Sequence, residues 1–407
     1  MFKVSKKNKL LNGEINISGS KSESNRLLVL RAYTSNFEIK NISNSDDTQT
    51  LLNALNSNQK EINIGHAGTA MRFLTSYFAS KNNSDILLTG SKRMQERPIS
   101  VLVDALKDLG ADIRYIKNEG YPPLKIKGRL LNQESVKLTA NISSQYISSL
   151  MMLGVSLKKG LEIKLSSELT SRPYLKMTIE MIKSLGGHVE MSSDRIFVKT
   201  VKDITKNSFT VESDWSSASY FYSLASMCDN VDLTLNTFFD SSIQGDSKLV
   251  EIYDCFGVKT IFNDNKIQLI RSNKILPKKI NLDLNDTPDL AQTIVISCLA
   301  NKIDCDLTGL HTLKIKETDR LIALKNEIQK FGVDKIEITD DSLHLRNKSS
   351  LKPNIIIDTY NDHRMAMSFA CLSLVNPIII KDPMVVTKSY KNFWTDLEKL
   401  GFRISKK

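Results

Sequence analysis

The 407-residue sequence lacks the long apolar runs and cysteine patterns that define several protein classes. No segment approaches the ~18 consecutive apolar residues that a membrane span needs. The lysine-rich stretch Met1 to Leu10 runs into Asn-Gly-Glu (12–14), so we expect no signal peptide. The five cysteines are scattered and include no C-x-x-C pair. This argues against a disulfide framework or a zinc site and predicts a reducing, cytoplasmic location.

Aromatic residues are scarce, at 7% of the chain. The basic residues are dispersed, and no helix-turn-helix, RNP or zinc-finger pattern is present, so we do not expect nucleic-acid binding. The composition, 41% apolar and 25% charged, is that of a soluble globular chain. At about 150 residues per domain, its length predicts two or three domains. The charge excess of 56 − 45 = +11 favours anionic ligands.

An internal repeat is visible as an amphipathic helical pattern that ends at Leu-Gly or Phe-Gly and continues as an alternating strand. Glycine at this point is typical of a helix stop in the left-handed conformation. A weaker first copy, Thr50 to Asn56 running into Glu61 to Ile64, lacks the glycine, so we count six repeats. The five clear junctions are Leu109-Gly110, Leu185-Gly186, Phe256-Gly257, Phe331-Gly332 and Leu400-Gly401.

Each repeat also contains a helix that is apolar on nearly every face, which is typical of a buried helix. A short polar or glycine-containing segment precedes each one. Such segments can be ordinary helix caps, or together they can form an anion site at gathered helix N-termini. The six predicted buried helices are Leu27 to Ala32, Ala70 to Ala79, Tyr146 to Leu153, Ala218 to Met227, Leu290 to Ala300 and Met365 to Val375.

A second series of polar segments precedes the amphipathic helices and is rich in basic residues, including Arg97, Arg320 and Lys388. Arginine at a helix start opposes the helix dipole, so a negative group is expected nearby. Intramolecular salt bridges, such as Glu96 with Arg97 or Asp319 with Arg320, are one interpretation. The other is a set of cations that bind phosphate and carboxylate groups; without ligand, these cations would repel one another.

Several motifs resemble those of the 5-enolpyruvylshikimate-3-phosphate (EPSP) synthase family of enolpyruvyl transferases. The resemblance runs in order from about Gly13 to Leu400, so it covers nearly the whole chain. The motifs are Gly-Ser-Lys-Ser-x-Ser-Asn-Arg (19–26), Ala-Gly-Thr-Ala-Met-Arg (67–72), Glu-Arg-Pro-Ile (96–99), Ser-Ser-Gln (143–145), Lys-Glu-Thr-Asp-Arg (316–320) and Tyr-Asn-Asp-His-Arg-Met-Ala-Met (360–367).

The resemblance implies an α/β fold, a two-domain inside-out α/β barrel. It has six βαβαββ repeats, with buried parallel helices and outer sheets. Three repeats would form a discontinuous domain from residues 1–19 and 212–407, and three would form a domain from residues 20–211. The chain would cross between domains near Gly19 and Glu212, and the active site would lie in the cleft between them.

The resemblance also implies a reaction. The family transfers the enolpyruvyl group of phosphoenolpyruvate to the 5-hydroxyl of 3-phosphoshikimate through a tetrahedral intermediate and releases phosphate. Neither a metal nor an organic cofactor is implied, and we expect a monomer that acts on these two small molecules. Each substrate carries a phosphate and a carboxylate, which suits the basic segments.

The family's site residues transfer to this sequence as follows. The implied catalytic residues are Asp289 as proton acceptor, Glu317 for proton transfer at the methylene carbon, and Lys21, which contacts both substrates. The implied 3-phosphoshikimate contacts are Lys21, Ser22, Arg26, Ser143, Ser144, Gln145, Ser171, Asp289 and Lys316. The implied phosphoenolpyruvate contacts are Lys21, Gly68, Arg97, Gln145, Arg320, Arg364 and Lys388.

At four residues this sequence limits how far the family's site residues can be carried over. His66 and Phe73 depart from the family's usual asparagine and proline, and the bulk of Phe73 puts the affinity for the inhibitor glyphosate in question. Thr312 stands where a substrate-contacting asparagine is common, so that contact is not carried over. We interpret His363 as structural.

Two alternatives remain open at this stage. Asp289, taken by itself, fits an acidic residue that interacts with a helix dipole. The other alternative is the related transferase that acts on UDP-N-acetylglucosamine. That enzyme usually carries a reactive cysteine in the loop equivalent to Ser91 to Pro98, where this sequence has none.

Overall fold

The computed structural model describes residues 1–35, 37–138, 143–166, 172–333, 335–346 and 350–407. The chain divides into two compact units. We call Met1–Ser18 together with Glu212–Lys407 the terminal unit, and Gly19–Val211 the insert unit. Within the described ranges, none of the helices is long and apolar enough to cross a membrane.

The helices of the insert unit are α1 (Lys21–Tyr33), α2 (Asp46–Leu55), α3 (Gly68–Ser80), α4 (Lys92–Gln95), α5 (Ser100–Asp108), α6 (Ser144–Gly154) and α7 (Arg172–Ser184). Those of the terminal unit are α8 (Trp215–Met227), α9 (Leu249–Asp254), α10 (Ala291–Asn301), α11 (Arg320–Gln329), α12 (His363–Ala370) and α13 (Phe393–Lys399). Short 3-10 helices precede α9, α10, α11 and α13 and follow α12.

The strands are numbered along the whole chain. The first two, β1 (Phe2–Ser5) and β2 (Leu10–Ile15), belong to the terminal unit. The insert unit contains β3 (Glu38–Lys40), β4 (Glu61–Asn63), β5 (Asp85–Thr89), β6 (Asp112–Tyr115), β7 (Leu124–Lys127), β8 (Ser135–Leu138), β9 (Leu161–Leu165), β10 (Val189–Met191), β11 (Arg195–Val198) and β12 (Ser208–Thr210). The terminal unit continues with β13 (Asn230–Asn236), β14 (Val258–Asn263), β15 (Lys266–Arg271), β16 (Lys279–Asp283), β17 (Asp304–Thr308), β18 (Ile336–Ile338), β19 (Leu343–Leu345), β20 (Ile356–Ile357), β21 (Ile378–Ile380) and β22 (Arg403–Lys406).

One sheet topology recurs in both units. In the order β4-β5-β7-β6, the first pair is parallel and the other two are antiparallel. Along the chain these elements run β4, α3, β5, α5, β6, β7, which is the expected βαβαββ repeat once the short α4 is set aside. The sheets β8-β9-β11-β10, β2-β13-β15-β14, β16-β17-β19-β18 and β20-β21-β1-β22 follow the same pattern.

The first repeat is reduced. Among the described residues its sheet contains only the parallel strands β3 and β12. The sequence predicts that Glu61 to Ile64 belong to this repeat. That prediction is wrong, because β4 pairs with β5 and begins the next repeat. Three alternating residues reveal a strand but not which sheet it joins, because pairing is a tertiary contact.

The beginning of the chain completes the terminal unit. β1 lies between β21 and β22 and is antiparallel to both, whereas β2 runs parallel to β13. Each of the first two strands thus fills a position in a repeat whose other strands come from residues beyond 212.

The six predicted buried helices are confirmed as α1, α3, α6, α8, α10, and α12 with its 3-10 extension. Their polar side chains bond across the helix contacts, as in Ser76 Oγ to Ser149 Oγ at 2.7 Å and Ser219 Oγ to Thr293 Oγ1 at 2.9 Å. Strands such as β9 alternate between buried and more exposed residues, so one face of the sheet packs on the helices.

The five junction glycines all adopt the left-handed conformation, with φ between 73° and 101°. The predicted helix stops are therefore confirmed. A residue with a β-carbon would be strained at each position.

Candidate active site

Asp289 is the centre of a charged cluster in the terminal unit. It lies in the 3-10 turn Pro288–Leu290, directly before α10. Its Oδ1 is 2.9 Å from Arg320 Nη1 and 3.6 Å from Lys316 Nζ. Its Oδ2 is 3.2 Å from Arg364 Nη2. Three cations from two segments of the chain, 316–320 and 360–367, therefore converge on one carboxylate.

Arg320 is the first residue of α11 and is almost fully buried. Besides Asp289, its guanidinium donates from Nε to Asp362 Oδ2 at 2.7 Å and from Nη2 to Glu317 Oε2 at 3.0 Å. Asp319, the partner proposed from the sequence, instead accepts two backbone N–H groups as the cap of α11. The predicted pair of Asp319 with Arg320 is therefore wrong, although Arg320 does form intramolecular salt bridges with Asp289, Glu317 and Asp362.

Glu317 connects this network to Lys388, which ends the 3-10 turn Pro383–Lys388. Lys388 Nζ is 3.5 Å from Glu317 Oε1. The ligand-free cations of this unit do repel one another, since Arg320 and Arg364 lower the pKa of Lys316, but the repulsion is offset. Carboxylates lie between the cations, and they lower the electrostatic cost of burying positive charge.

The electrostatics follow from this arrangement. Burial alone would raise the pKa of Asp289, but Arg364, Lys316 and Arg320 hold it well below the ordinary value. Burial lowers the pKa of Lys316, an effect that Asp289 opposes. Burial would also lower the pKa of Arg320, but Asp362, Glu317 and Asp289 raise it above its usual value.

Asp246 is a further carboxylate that the sequence reasoning missed. It accepts a hydrogen bond from Ser216 Oγ, which also accepts one from Arg364 Nη2 at 3.2 Å. Burial, reinforced by Asp289, raises the pKa of Asp246 to about 7. Within the Gln-Gly-Asp sequence at 244–246, nothing distinguished this carboxylate from an ordinary turn residue.

Asp362 has two functions at the start of α12. Its carboxylate caps the helix by accepting the Arg364 N–H at 2.8 Å, and it also holds Arg320. His363 is buried, with Nδ1 3.8 Å from an Asp362 oxygen. The capping and anion-site interpretations of these polar segments are therefore compatible, because one side chain caps the helix and orients a cation.

Lys21 begins α1 in the insert unit and is bound by a carboxylate. Its Nζ is 3.1 Å from Asp47 Oδ2, near the start of α2. Ser20 caps α1 by accepting the Glu23 N–H at 3.4 Å. Asp47 was not predicted as a site residue, because acidic residues in a first helical turn are common for capping reasons.

Arg26 lies one turn further along α1 and is bound by neutral groups. Nε donates to Thr178 Oγ1 at 2.8 Å, Nη2 to Ser148 Oγ at 3.3 Å, and Nη1 to the Ser22 carbonyl at 2.9 Å. Phe73 is fully buried, and its ring centroid is 5.6 Å from the guanidinium carbon. Burial lowers the pKa of Arg26 to about 10.

Gly68 begins α3 beside two arginines. A β-carbon at this position would lie 2.5 Å from Arg97 Nη1 and 3.1 Å from Arg72 Nη1. Arg72 donates to the Gly68 carbonyl at 3.0 Å. The requirement for glycine here is therefore the close approach of Arg97, since its φ is not in the left-handed region.

The Ser-Ser-Gln segment begins α6. Ser143 caps the helix by accepting the Gln145 N–H at 3.3 Å, and Ser144 is buried in the first turn. Gln145 Nε2 donates to Thr69 Oγ1 at 3.4 Å, so this segment contacts the start of α3. Tyr146 O–H donates to the carbonyl of Pro98 at 2.5 Å and ties α6 to the residue after Arg97.

Of the remaining candidates, Ser171 lies outside the described residues. His66 is exposed, with Nδ1 2.9 Å from Ser91 Oγ. The Oγ1 of Thr312 is buried and has no hydrogen-bond partner among the residues that the structure describes.

The structure joins the candidates of the terminal unit through ion pairs, whereas those of the insert unit share fewer contacts, such as the approach of Arg97 to Gly68. The insert unit holds Lys21, Ser22, Arg26, Gly68, Arg97, Ser143, Ser144 and Gln145. The terminal unit holds Asp289, Lys316, Glu317, Arg320, Arg364 and Lys388. The missed partners, Asp47, Thr178, Ser148, Ser216 and Asp246, are common residue types whose importance depends on what they contact.

Comparison with known proteins agrees with these features. Residues 55–397 match the family model of EPSP synthase (3-phosphoshikimate 1-carboxyvinyltransferase). A protein named 3-phosphoshikimate 1-carboxyvinyltransferase from Bacteroides fragilis is 42% identical over 393 residues, covering 96% of this chain and 95% of that protein. One of the same name from Haemophilus influenzae is 36% identical over 424 residues, covering 96% and 97%.

The fold has close counterparts among solved structures. The EPSP synthase of Acinetobacter baumannii aligns with a TM-score of 0.79 at 20% identity, covering 100% of this chain and 99% of that one. This likeness confirms the expected α/β fold class. The family model and the long alignments at 42% and 36% identity carry the assignment further: the chain belongs to the EPSP synthase family.

Proposed function

We propose that this chain transfers the enolpyruvyl group of phosphoenolpyruvate to the 5-hydroxyl of 3-phosphoshikimate, giving 5-enolpyruvylshikimate 3-phosphate and phosphate. This reaction serves aromatic amino-acid biosynthesis in the shikimate pathway. The observation that carries the proposal is the cluster in which Arg320, Arg364 and Lys316 surround Asp289. It pairs a buried proton acceptor with cations suited to phosphate and carboxylate.

The substrate contacts divide between the two units in this proposal. Lys21, Ser22, Arg26, Ser143, Ser144 and Ser171 of the insert unit bind 3-phosphoshikimate, together with Lys316 and Asp289 of the terminal unit. Gly68 and Arg97 of the insert unit bind phosphoenolpyruvate, together with Arg320, Arg364 and Lys388 of the terminal unit. Lys21 and Gln145 contact both substrates.

Asp289 accepts the proton of the 5-hydroxyl as that oxygen bonds to C2 of phosphoenolpyruvate. In the ligand-free chain, Arg364, Lys316 and Arg320 hold the pKa of Asp289 well below its ordinary value, which makes it a weak base. Bound phosphate and carboxylate groups neutralise these cations and so raise that pKa. The negative charge of the bound substrates therefore makes Asp289 a stronger base.

Glu317 supplies the proton that C3 of phosphoenolpyruvate gains in the addition step. The product of this step is a tetrahedral ketal that carries the phosphate. The Glu317 carboxylate then takes a proton from C3 as the C2–O bond to phosphate breaks, which restores the double bond, releases phosphate and leaves Glu317 protonated again. Lys388 and Arg320, which contact Glu317, stabilise its carboxylate between the addition and the elimination.

Lys21 exchanges one anionic partner for another in this scheme. Without ligand it is paired with Asp47 at 3.1 Å. Because Lys21 is only about one-fifth exposed, a substrate oxyanion that replaces Asp47 avoids much of the cost of desolvating a free ammonium group.

The test is the release of inorganic phosphate by the whole chain without added metal or cofactor. The proposal predicts release only when 3-phosphoshikimate and phosphoenolpyruvate are both present. Release with UDP-N-acetylglucosamine in place of 3-phosphoshikimate would instead assign the chain to the related transferase. No release with either acceptor would contradict both assignments.

We further propose that the protein acts in the cytoplasm as a monomer and does not bind nucleic acid. Light scattering should then give a mass near the chain mass of 45.8 kDa. A duplex DNA probe at physiological salt should not shift in mobility when the protein is added.

A further inference from the structure

The turn that precedes α12 has an unfavourable backbone conformation. Tyr360 and Asn361 are consecutive and neither is glycine, yet both have φ of 55°, in the left-handed region. Such a conformation costs free energy and persists only where the surroundings hold it. Strain of this kind is concentrated at functional sites, so the groups that maintain the turn are of interest.

Glu327, on α11, holds this turn. Its side chain is fully buried. Oε1 accepts the Tyr360 O–H at 2.7 Å, and Oε2 accepts the Asp358 backbone N–H at 3.0 Å. Lys330 Nζ, one helical turn along, is 2.6 Å from Oε2 and 2.7 Å from Asp358 Oδ2. A single carboxylate thus fixes both ends of the segment 358–360.

The turn leads directly into the charged cluster. Asp362 follows it, is fully buried, and donates its N–H to the Thr359 carbonyl at 2.8 Å. Its carboxylate then binds Arg320 and caps the helix that carries Arg364. The position of Asp362 therefore orients the guanidinium of Arg320 and fixes the start of the helix from which the side chain of Arg364 extends.

The helix α11 links the two ends of this arrangement. Arg320 is its first residue, and Glu327 lies seven residues later, two turns along the same face. Arg320 contacts Asp362 after the turn, while Glu327 contacts Tyr360 within it. The turn is therefore held at two points by one rigid helix.

We propose that Glu327, acting through the Tyr360 hydroxyl, is a positioning residue for the phosphoenolpyruvate-binding cations Arg320 and Arg364. This inference rests on the proposed function. Neither Glu327 nor Tyr360 is assigned a substrate contact. Their effect is to keep Asp362 where it orients the guanidinium of Arg320 and fixes the backbone of Arg364 before phosphoenolpyruvate binds, which lowers the cost of organising the site.

The test compares Tyr360→Phe and Glu327→Gln with the parent and with Tyr222→Phe. Tyr222 is a matched control, because it is a buried tyrosine of the same unit whose hydroxyl bonds Thr260 Oγ1 at 2.8 Å. KM for each substrate, kcat and the unfolding temperature are measured for all four proteins.

We expect Tyr360→Phe to raise the KM for phosphoenolpyruvate about 10-fold, with a smaller change for 3-phosphoshikimate. We expect Glu327→Gln to lower kcat/KM for phosphoenolpyruvate by up to about 100-fold, the scale of a small misplacement of reacting groups. Both changes break the same hydrogen bond, between Tyr360 and Glu327. The loss of kcat/KM in the double variant should therefore be smaller than the product of the two single losses. Tyr222→Phe should leave both KM values unchanged.

The inference is overturned if the parent is active and both variants keep the parental KM for phosphoenolpyruvate while only their unfolding temperatures fall. It is also overturned if Tyr222→Phe raises that KM equally. Should Glu327→Gln fail to fold, Tyr360→Phe, which removes only one hydroxyl, decides the matter. A parent that releases no phosphate contradicts the proposed function itself, and the positioning role with it.

Discussion

Arg26 of the insert unit and Arg320 of the terminal unit are equally buried, each 2% exposed, but their surroundings are opposite. Arg320 donates to three carboxylates, which raise its pKa above the usual value. Arg26 donates to two hydroxyls and a carbonyl, and burial lowers its pKa to about 10. Arg320 is thus hydrogen-bonded by carboxylates, whereas the groups hydrogen-bonded to Arg26 are neutral, and Tyr174 and Glu23 only partly offset the effect of burial on its pKa.

The difference has a chemical reason under the proposed function. The terminal unit supplies the carboxyl groups that transfer protons, and these need cations around them before the substrates arrive. Arg26 only has to bind an anionic group of 3-phosphoshikimate, and a buried cation that is hydrogen-bonded by neutral groups gains most from an incoming anion.

The largest expected effect is that of Asp289→Asn in the terminal unit. Loss of the proton acceptor should lower kcat by about 100-fold to 10,000-fold. Asp47→Asn in the insert unit is the matched change, since it also neutralises a carboxylate bound to a cation. Phosphate release should fall much less in Asp47→Asn. Equal losses would show that Asp289, like Asp47, acts only as a counter-ion.

The second prediction concerns stability. Arg320→Met leaves the buried Asp362 without its main cation and should cost about 3 to 5 kcal/mol of unfolding free energy. Arg26→Met should cost only about 1 kcal/mol, because Thr178 and Ser148 already bond each other at 2.9 Å. Urea unfolding of both variants measures the two costs. Similar losses of unfolding free energy in the two variants would contradict the electrostatic difference between Arg320 and Arg26.

Much of the difference between Arg26 and Arg320 could not be predicted from the sequence. The six buried helices, the glycine stops and the positions of Arg26 and Arg320 followed from periodicity and motifs, because these are local signals. The environment of each arginine did not, since Asp289, Asp362 and Thr178 reach them from 31 to 152 residues away. The repeat of β4 was wrongly predicted for the same reason, because the partner strand of β4 is set by tertiary packing.

The third prediction tests geometry in the insert unit. The β-carbon of Gly68→Ala would lie 2.5 Å from Arg97 Nη1, so the guanidinium must move. We expect the KM for phosphoenolpyruvate to rise about 10-fold, the scale of a displaced binding group. The KM for 3-phosphoshikimate serves as the internal control. If both KM values rise together, Arg97 is not specific to phosphoenolpyruvate.

The smallest effect is a pH dependence in the terminal unit. The pKa of Asp246 is raised from 3.8 to about 7 in the folded chain, so folding favours its protonated form. The stability from this group is present at low pH and is lost as pH rises toward and through about 7. Asp246→Asn should therefore be more stable relative to the parent at pH 8 than at pH 5. Thermal unfolding at both pH values checks this, and a constant difference would refute it.

The central claim is that residues of both units act in one reaction and that each contact is made to a defined substrate. Arg26 contacts 3-phosphoshikimate, and Lys388 contacts phosphoenolpyruvate. The most direct test is the pair of KM values in Arg26→Met and Lys388→Met. We predict that Arg26→Met mainly raises the KM for 3-phosphoshikimate and that Lys388→Met mainly raises the KM for phosphoenolpyruvate. If each variant changes both KM values by the same factor, the proposed division of the substrates is wrong.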